Sequence, residues 1–114
     1  MTKKKFEIIA TAFDKKGRVI SSGINNYSKS HPLMRKYAII AGEHPERVFI
    51  HAELLAILRA GEKQVHSLLV QRFLSNGELA LAMPCPICRE IIKDFGIKEV
   101  TYSDYDGYKV WEVN

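Results

Sequence analysis

The stretch "IHAELLAILRAG" (residues 50–61) sets a histidine two residues before a glutamate at the front of an apolar run. Leu54, Leu55, Ile57 and Leu58 form one broad stripe at helical spacing, and Gly61 follows where a C-terminal glycine belongs, so residues 51–60 are predicted to be helical. Residues i and i+2 point to opposite sides of a regular helix and converge only where regular geometry has not begun. His51 is therefore expected at or just before the first turn, with Glu53 inside it.

A second stretch, "PCPICREIIKDFG" (residues 84–96), places Ile87, Ile91, Ile92 and Phe95 at helical spacing, with Pro86 tolerated in the first turn and Gly96 closing the element. Cys85 and Cys88, three apart, then share one face at a helix N-terminus. Four chemically active groups can thus meet between two helix ends. One imidazole and two thiolates match the preference of zinc, and three protein ligands leave the fourth tetrahedral position open, the pattern of catalytic sites. The positive potential of both helix N-termini favours thiolate and carboxylate.

Blander readings compete at each position. A lone histidine before an apolar helix is ordinarily a cap or core residue, and Cys-Pro-x-Cys at a helix start also serves thiol–disulfide chemistry. The redox motif, however, normally follows the first strand. Here it lies behind two strands and a helix, and the redox reading leaves His51 and Glu53 unexplained. A structural zinc would need a fourth ligand; His31, His44 and His66 lack ligand-like spacing and read as surface or loop residues.

Outward from these helices, "KFEIIATAFD" and "RVISSGI" around "KKG" read as a hairpin. After an irregular stretch broken by Pro32, a short helix is expected from about Leu33 to Ala41, stopped by Gly42. "HSLLVQRFL" reads as a strand, and "LALAM" either pairs back on it or leads toward Pro84. "KEVTYS" and "YKVWEV" flank an Asp-Gly turn too short for a crossover, so the last strand must be antiparallel to its predecessor. Tyr102, Tyr105, Tyr108 and Trp111 in this hairpin read as sheet packing.

With 114 residues, 46% of them hydrophobic, the chain suits a single domain spanning residues 1–114. Its formal charge of +4 is scattered apart from Lys3-Lys4-Lys5 and Arg35-Lys36, which suits an anionic ligand without demanding nucleic acid. Glu7 interrupts the first apolar run and no segment approaches a membrane span, so a cytoplasmic protein without a membrane partner is expected. Two cysteines three residues apart would staple nothing distant as a disulfide. Lys29, Arg35 and Lys36 ordinarily read as solvated loop cations, with a phosphate contact as the sharper alternative.

The pattern His51-Ala52-Glu53, a gap of 30 residues, then Pro84-Cys85-Pro86-Ile87-Cys88 resembles the cytidine/deoxycytidylate deaminase superfamily over most of the chain. Gly23-Ile24-Asn25 looks like the family's G-x-N, and Arg89 is similar to the arginine after the second cysteine of free-nucleoside members. The resemblance implies a three-layer α/β fold with a mixed sheet of about five strands. It also implies Zn2+ held by His51, Cys85 and Cys88, and Glu53 as the catalytic proton carrier. It assigns the sugar contact to Asn25, with Asn26 as the fallback, and Ala52 between the ligand and the acid is read as a substrate neighbour, as Lys29 of the basic loop is if it meets a phosphate. The implied reaction is hydrolytic deamination of a pyrimidine nucleoside or nucleotide, with single-stranded nucleic acid as the alternative substrate and a non-catalytic zinc module as a third reading. A homo-oligomer, dimer or tetramer, is expected. The chain departs from many members in lacking an initial helix and in carrying "SKSHPLMRKY" where nucleoside-specific members have other sugar-contacting residues.

Overall fold

The structure, a computed structural model, describes residues 6–26, 28–45 and 49–113, so the Lys3-Lys4-Lys5 run lies outside the described residues. The elements run β1 (Phe6–Phe13), β2 (Val19–Ile24), α1 (Pro32–Ile40), α2 (Ala52–Ala60), β3 (Ser67–Leu74), β4 (Leu79–Ala80), α3 (Pro86–Asp94), β5 (Glu99–Asp104) and β6 (Gly107–Glu112).

Five strands form one mixed sheet in the order β2-β1-β3-β5-β6, and the two-residue β4 pairs off this path with β3. β1 is antiparallel to β2 and, along its full length, to β3, from Phe6 opposite Leu74 to Phe13 opposite Ser67. β3 and β5 are parallel, joined through α3, and β5 and β6 are antiparallel as the short Asp-Gly link requires. Of "LALAM", only Leu79 and Ala80 pair back, opposite Phe73 and Arg72; the remainder leads to Pro84.

The strands bury one parity of side chains. Ala10 and Ala12 of β1, Leu68 and Val70 of β3 and Val100 of β5 join residues of all three helices in one apolar cluster, including Met34, Tyr37, Leu54, Ile57, Ile91 and Ile92. The opposite parity, Ile9, Thr11, Leu69, Gln71 and Thr101, is half-buried. No described helix is long and apolar enough to cross a membrane.

Small residues set how closely the first helix of the site approaches the sheet. A Cβ placed on Gly23 of β2 would stand 2.7 Å from the Ala52 carbonyl oxygen, 2.8 Å from the Ala56 nitrogen and 2.9 Å from the Leu55 Cβ. Ser21, two residues earlier on β2, donates its hydroxyl to the Ala56 carbonyl at 2.6 Å, and Arg59 Nη1 donates to the Ser22 carbonyl at 3.1 Å. Strand and helix are thus held together along the face that carries Ala52, Leu55, Ala56 and Arg59. Gly23→Ala should lower stability by about 1–3 kcal/mol, as overpacking against backbone atoms does, read as a fall in Tm; an unchanged Tm would show that the contact yields freely.

Candidate metal centre and active site

His51 occupies the N-cap of α2 in an extended conformation (φ −86°, ψ 156°), with Ala52 and Glu53 in the first turn. Cys85 occupies the N-cap of α3 (φ −70°, ψ 168°), Pro86 follows at its start, and Cys88 lies one turn in. Neither N-cap side chain bonds its own helix; both turn toward each other. His51 Nδ1 lies 3.2 Å from Cys88 Sγ and 3.5 Å from Cys85 Sγ. All three ligand atoms lie within 4.8 Å of one another. Ligand atoms around a tetrahedral zinc, at its usual Zn–S and Zn–N bond lengths, stand about 3.5–3.8 Å apart, so the donor set and its spacing fit that ion.

Electrostatics favour a cation there. The Cys88 thiol donates toward Cys85, and this hydrogen bond, with that of His51, lowers the Cys85 pKa to about 4 against the opposing effect of burial. Cys88 is correspondingly held well above its ordinary value, first by keeping the proton shared with Cys85 and then by complete burial. Burial works against the His51 imidazolium, but the hydrogen bond and charge of Cys85, together with Glu53, outweigh it and raise its pKa. A divalent cation displaces the shared thiol proton and satisfies both sulfurs.

Glu53 is buried, 5% exposed, and desolvation pushes its carboxyl above the usual range. Its own backbone N–H, the charge of His51 and a hydrogen bond from Cys88 oppose that rise. A group there is suited to taking and returning a proton.

The other residues singled out by the sequence surround the entrance to α2. Asn25 Oδ1 accepts the Ile8 N–H at 2.9 Å, which fixes the oxygen end of the side-chain amide against β1. Asn26 Oδ1 accepts from Ser28 N, Ser28 Oγ and Lys29 N at 2.8–3.0 Å, making a tight side-chain-capped turn. This turn is stitched to the residue before His51: Asn26 N donates to the Ile50 carbonyl at 3.2 Å and Ile50 N donates to the Lys29 carbonyl at 2.8 Å. Ala52 is fully buried beneath β2. Lys29, Arg35 and Lys36 are exposed, and among the described residues none has an ion-pair partner.

Some roles were not apparent from spacing. His31 is the N-cap of α1, its Nδ1 accepting the Leu33 N–H at 3.1 Å; the signal for it was Pro32 at the first helical position. Arg89 Nε donates to the Pro84 carbonyl at 3.0 Å, bracing the turn that carries Cys85. In the last hairpin, Tyr102 and Trp111 pack on the core, while Tyr105 and Tyr108 are exposed.

These features have relatives. Residues 1–104 match the model of the cytidine and deoxycytidylate deaminase zinc-binding region, and the chain belongs to that family. Among solved structures, the cytidine deaminase of Mycobacterium leprae is similar with a TM-score of 0.51 and 20% identity, over 92% of this chain and 74% of that one. A mutant cytidine deaminase of Mycobacterium tuberculosis matches with a TM-score of 0.52 and 21% identity, over 93% of this chain and 73% of the other. At that identity the likeness is one of fold. No curated protein matches the sequence.

One zinc per chain is expected by elemental analysis, lost on combining Cys85→Ala with Cys88→Ala; full retention would exclude the cluster as the metal site. A second expectation concerns Glu53. Its folded-state pKa is raised, so the folded zinc-free chain keeps the proton more readily than the unfolded chain, and stability declines as pH rises from the unfolded carboxyl value toward the folded one. Glu53→Gln should therefore raise the Tm of the zinc-free chain more at pH 8 than at pH 4; equal shifts at both would mean that charging the carboxyl costs nothing.

Proposed function

We propose that the chain is a zinc-dependent hydrolytic deaminase that converts the cytosine of a free nucleoside or its monophosphate to uracil, releasing ammonia. The observation that carries this reading is the buried Glu53 carboxyl set beside the His51, Cys85 and Cys88 ligand atoms where two helix N-termini meet. A purely structural metal site has no use for a desolvated acid at that place.

Bound zinc would act as a Lewis acid, lowering the pKa of a water into the neutral range. Glu53 accepts that water's proton while its oxygen adds to C4 of the base, and returns the proton to the ring nitrogen N3. A second transfer through the same carboxyl goes to the amino group, the C4–N bond breaks, ammonia departs and C4 becomes a carbonyl. A raised pKa suits these transfers, because an acid ionised down to low pH would not give the proton back. His51, Cys85 and Cys88 would hold the metal. Asn25 is read as the sugar contact: its oxygen is committed to Ile8, so its NH2 is the half offered to a hydroxyl. Asn26 shapes the loop, and Ala52 forms the floor at the helix start.

Lys29 is read as the residue that meets a 5′-phosphate, since its backbone is tied to Ile50, one residue before the first metal ligand. The same exposed, unpaired charge on Lys29 and Arg35 supports the second reading, a cytosine deaminase acting on single-stranded nucleic acid. We also read the chain as a cytoplasmic homo-oligomer.

Ammonia release across cytidine, deoxycytidine, their monophosphates and a cytosine-containing oligonucleotide separates these readings. Turnover of the oligonucleotide alone would install the second. Glu53→Ala should keep its zinc and lose roughly a hundred- to ten-thousand-fold in kcat, and near-normal turnover would remove Glu53 from the reaction. Lys29→Ala should weaken monophosphate turnover and spare the nucleoside; equal loss on both would deny the phosphate contact.

A further inference from the structure

The sheet changes partner along one edge of β3. β3 pairs in parallel with β5 only from Ser67 to Val70, opposite Glu99 to Tyr102, and from Arg72 onward its edge is taken by β4 instead. Backbone groups at such a fork cannot all find ladder partners, and buried ones need another. Ser103 of β5 stands in the fork, 0% exposed.

Its Oγ accepts the Arg72 N–H at 2.9 Å and donates to the Ala80 carbonyl at 2.8 Å. Its own carbonyl accepts the Ala82 N–H at 2.9 Å. One residue thus clamps three segments: the end of β3, β4, and the strand-less residues 81–84 that deliver Cys85. The clamp continues toward the metal, because Pro84 is fully buried, its carbonyl takes the Arg89 Nε–H at 3.0 Å, and Arg89 N donates to the Cys85 carbonyl at 2.9 Å. Only Met83 and Pro84 separate Ala82, held by Ser103, from Cys85.

We infer that Ser103 is a positioning residue for the metal centre, holding residues 80–84 so that Cys85 and Cys88 reach the ion together with His51. Ser103 is more than two residues from every ligand and acts through the backbone it clamps. The inference rests on the metal-site reading alone, and stands whatever the substrate proves to be.

The test compares zinc affinity, by competition with a chromophoric chelator, for the unaltered chain, Ser103→Ala and Tyr37→Phe. Tyr37 OH donates to Asp94 Oδ2 at 2.8 Å at the far end of α3, so Tyr37→Phe removes a bond to the same helix away from its cysteines. Ser103→Ala should weaken zinc binding by about tenfold, the low end of what supporting residues around metal ligands contribute. Tyr37→Phe should leave zinc affinity unchanged while lowering Tm. Affinity retained in Ser103→Ala, or lost equally in both variants, would overturn the inference. Failure of the unaltered chain to bind zinc would strike the metal-site reading itself. Should Ser103→Ala not fold, the coupling is read in the unaltered chain, since linkage is reciprocal. Amide exchange at Arg72 and Ala82 should slow by several-fold on zinc addition, and unchanged exchange there would overturn the inference.

Discussion

A histidine and a glutamate two residues apart can act on one point only where the chain has not yet become helical, and the site is built around that constraint. It forces His51 to the N-cap, where extended backbone frees the ring from the helix surface. With Glu53 taking the first turn of α2, the remaining donors of the cluster come from a second helix that opens at the same point. α3 meets this demand by starting with Cys85 at its own N-cap. The sheet in turn has to bring α2 close, and Gly23 leaves room for the Ala52 carbonyl where any side chain would intrude.

Burial and charge then turn a meeting of side chains into a chemical site. Glu53 sits where water cannot solvate its charge, so its proton affinity rises, while the paired cysteines share one proton between two sulfurs. The two helix N-termini contribute positive potential from their unpaired amides, which offsets part of the cost of gathering thiolate and carboxylate together. Thiolate and carboxylate repel one another at this close range, and a divalent cation held by His51, Cys85 and Cys88 would relieve that repulsion.

Much of this was legible in the sequence, because the features that encode it are local. The apolar stripe of Leu54, Leu55, Ile57 and Leu58, the glycine stops and the short Asp-Gly link each speak through a few neighbouring residues, and the helix of the site and the antiparallel last strand follow from them, whereas the α/β class and mixed sheet were implied by the family resemblance. What was not legible depends on register between distant segments. That Ser103 faces a fork between β3 and β4 requires knowing where the β3–β5 pairing ends, and nothing in "VTYSD" states it. The brace from Arg89 to Pro84 and the cap formed by His31 are likewise side chain to backbone bonds, for which residue type gives only a weak signal. The three-layer arrangement was implied by the family resemblance and not by strand alternation, which identifies a buried parity without saying what lies over the other.

The two helix starts also expose a competition built into the fold. A serine, threonine, asparagine or aspartate at an N-cap typically contributes about 1 kcal/mol by bonding the first free amides of its helix. α1 has such a bond through His31, whereas α2 and α3 spend their N-cap positions on His51 and Cys85, whose side chains face each other. Substitution toward a better cap would strengthen either helix and destroy a ligand, so stability cannot be improved at these two positions without giving up chemistry. Selection for a more robust scaffold is therefore diverted to the rest of the molecule, and the starts of α2 and α3 become the places where holding an ion substitutes for holding a helix together.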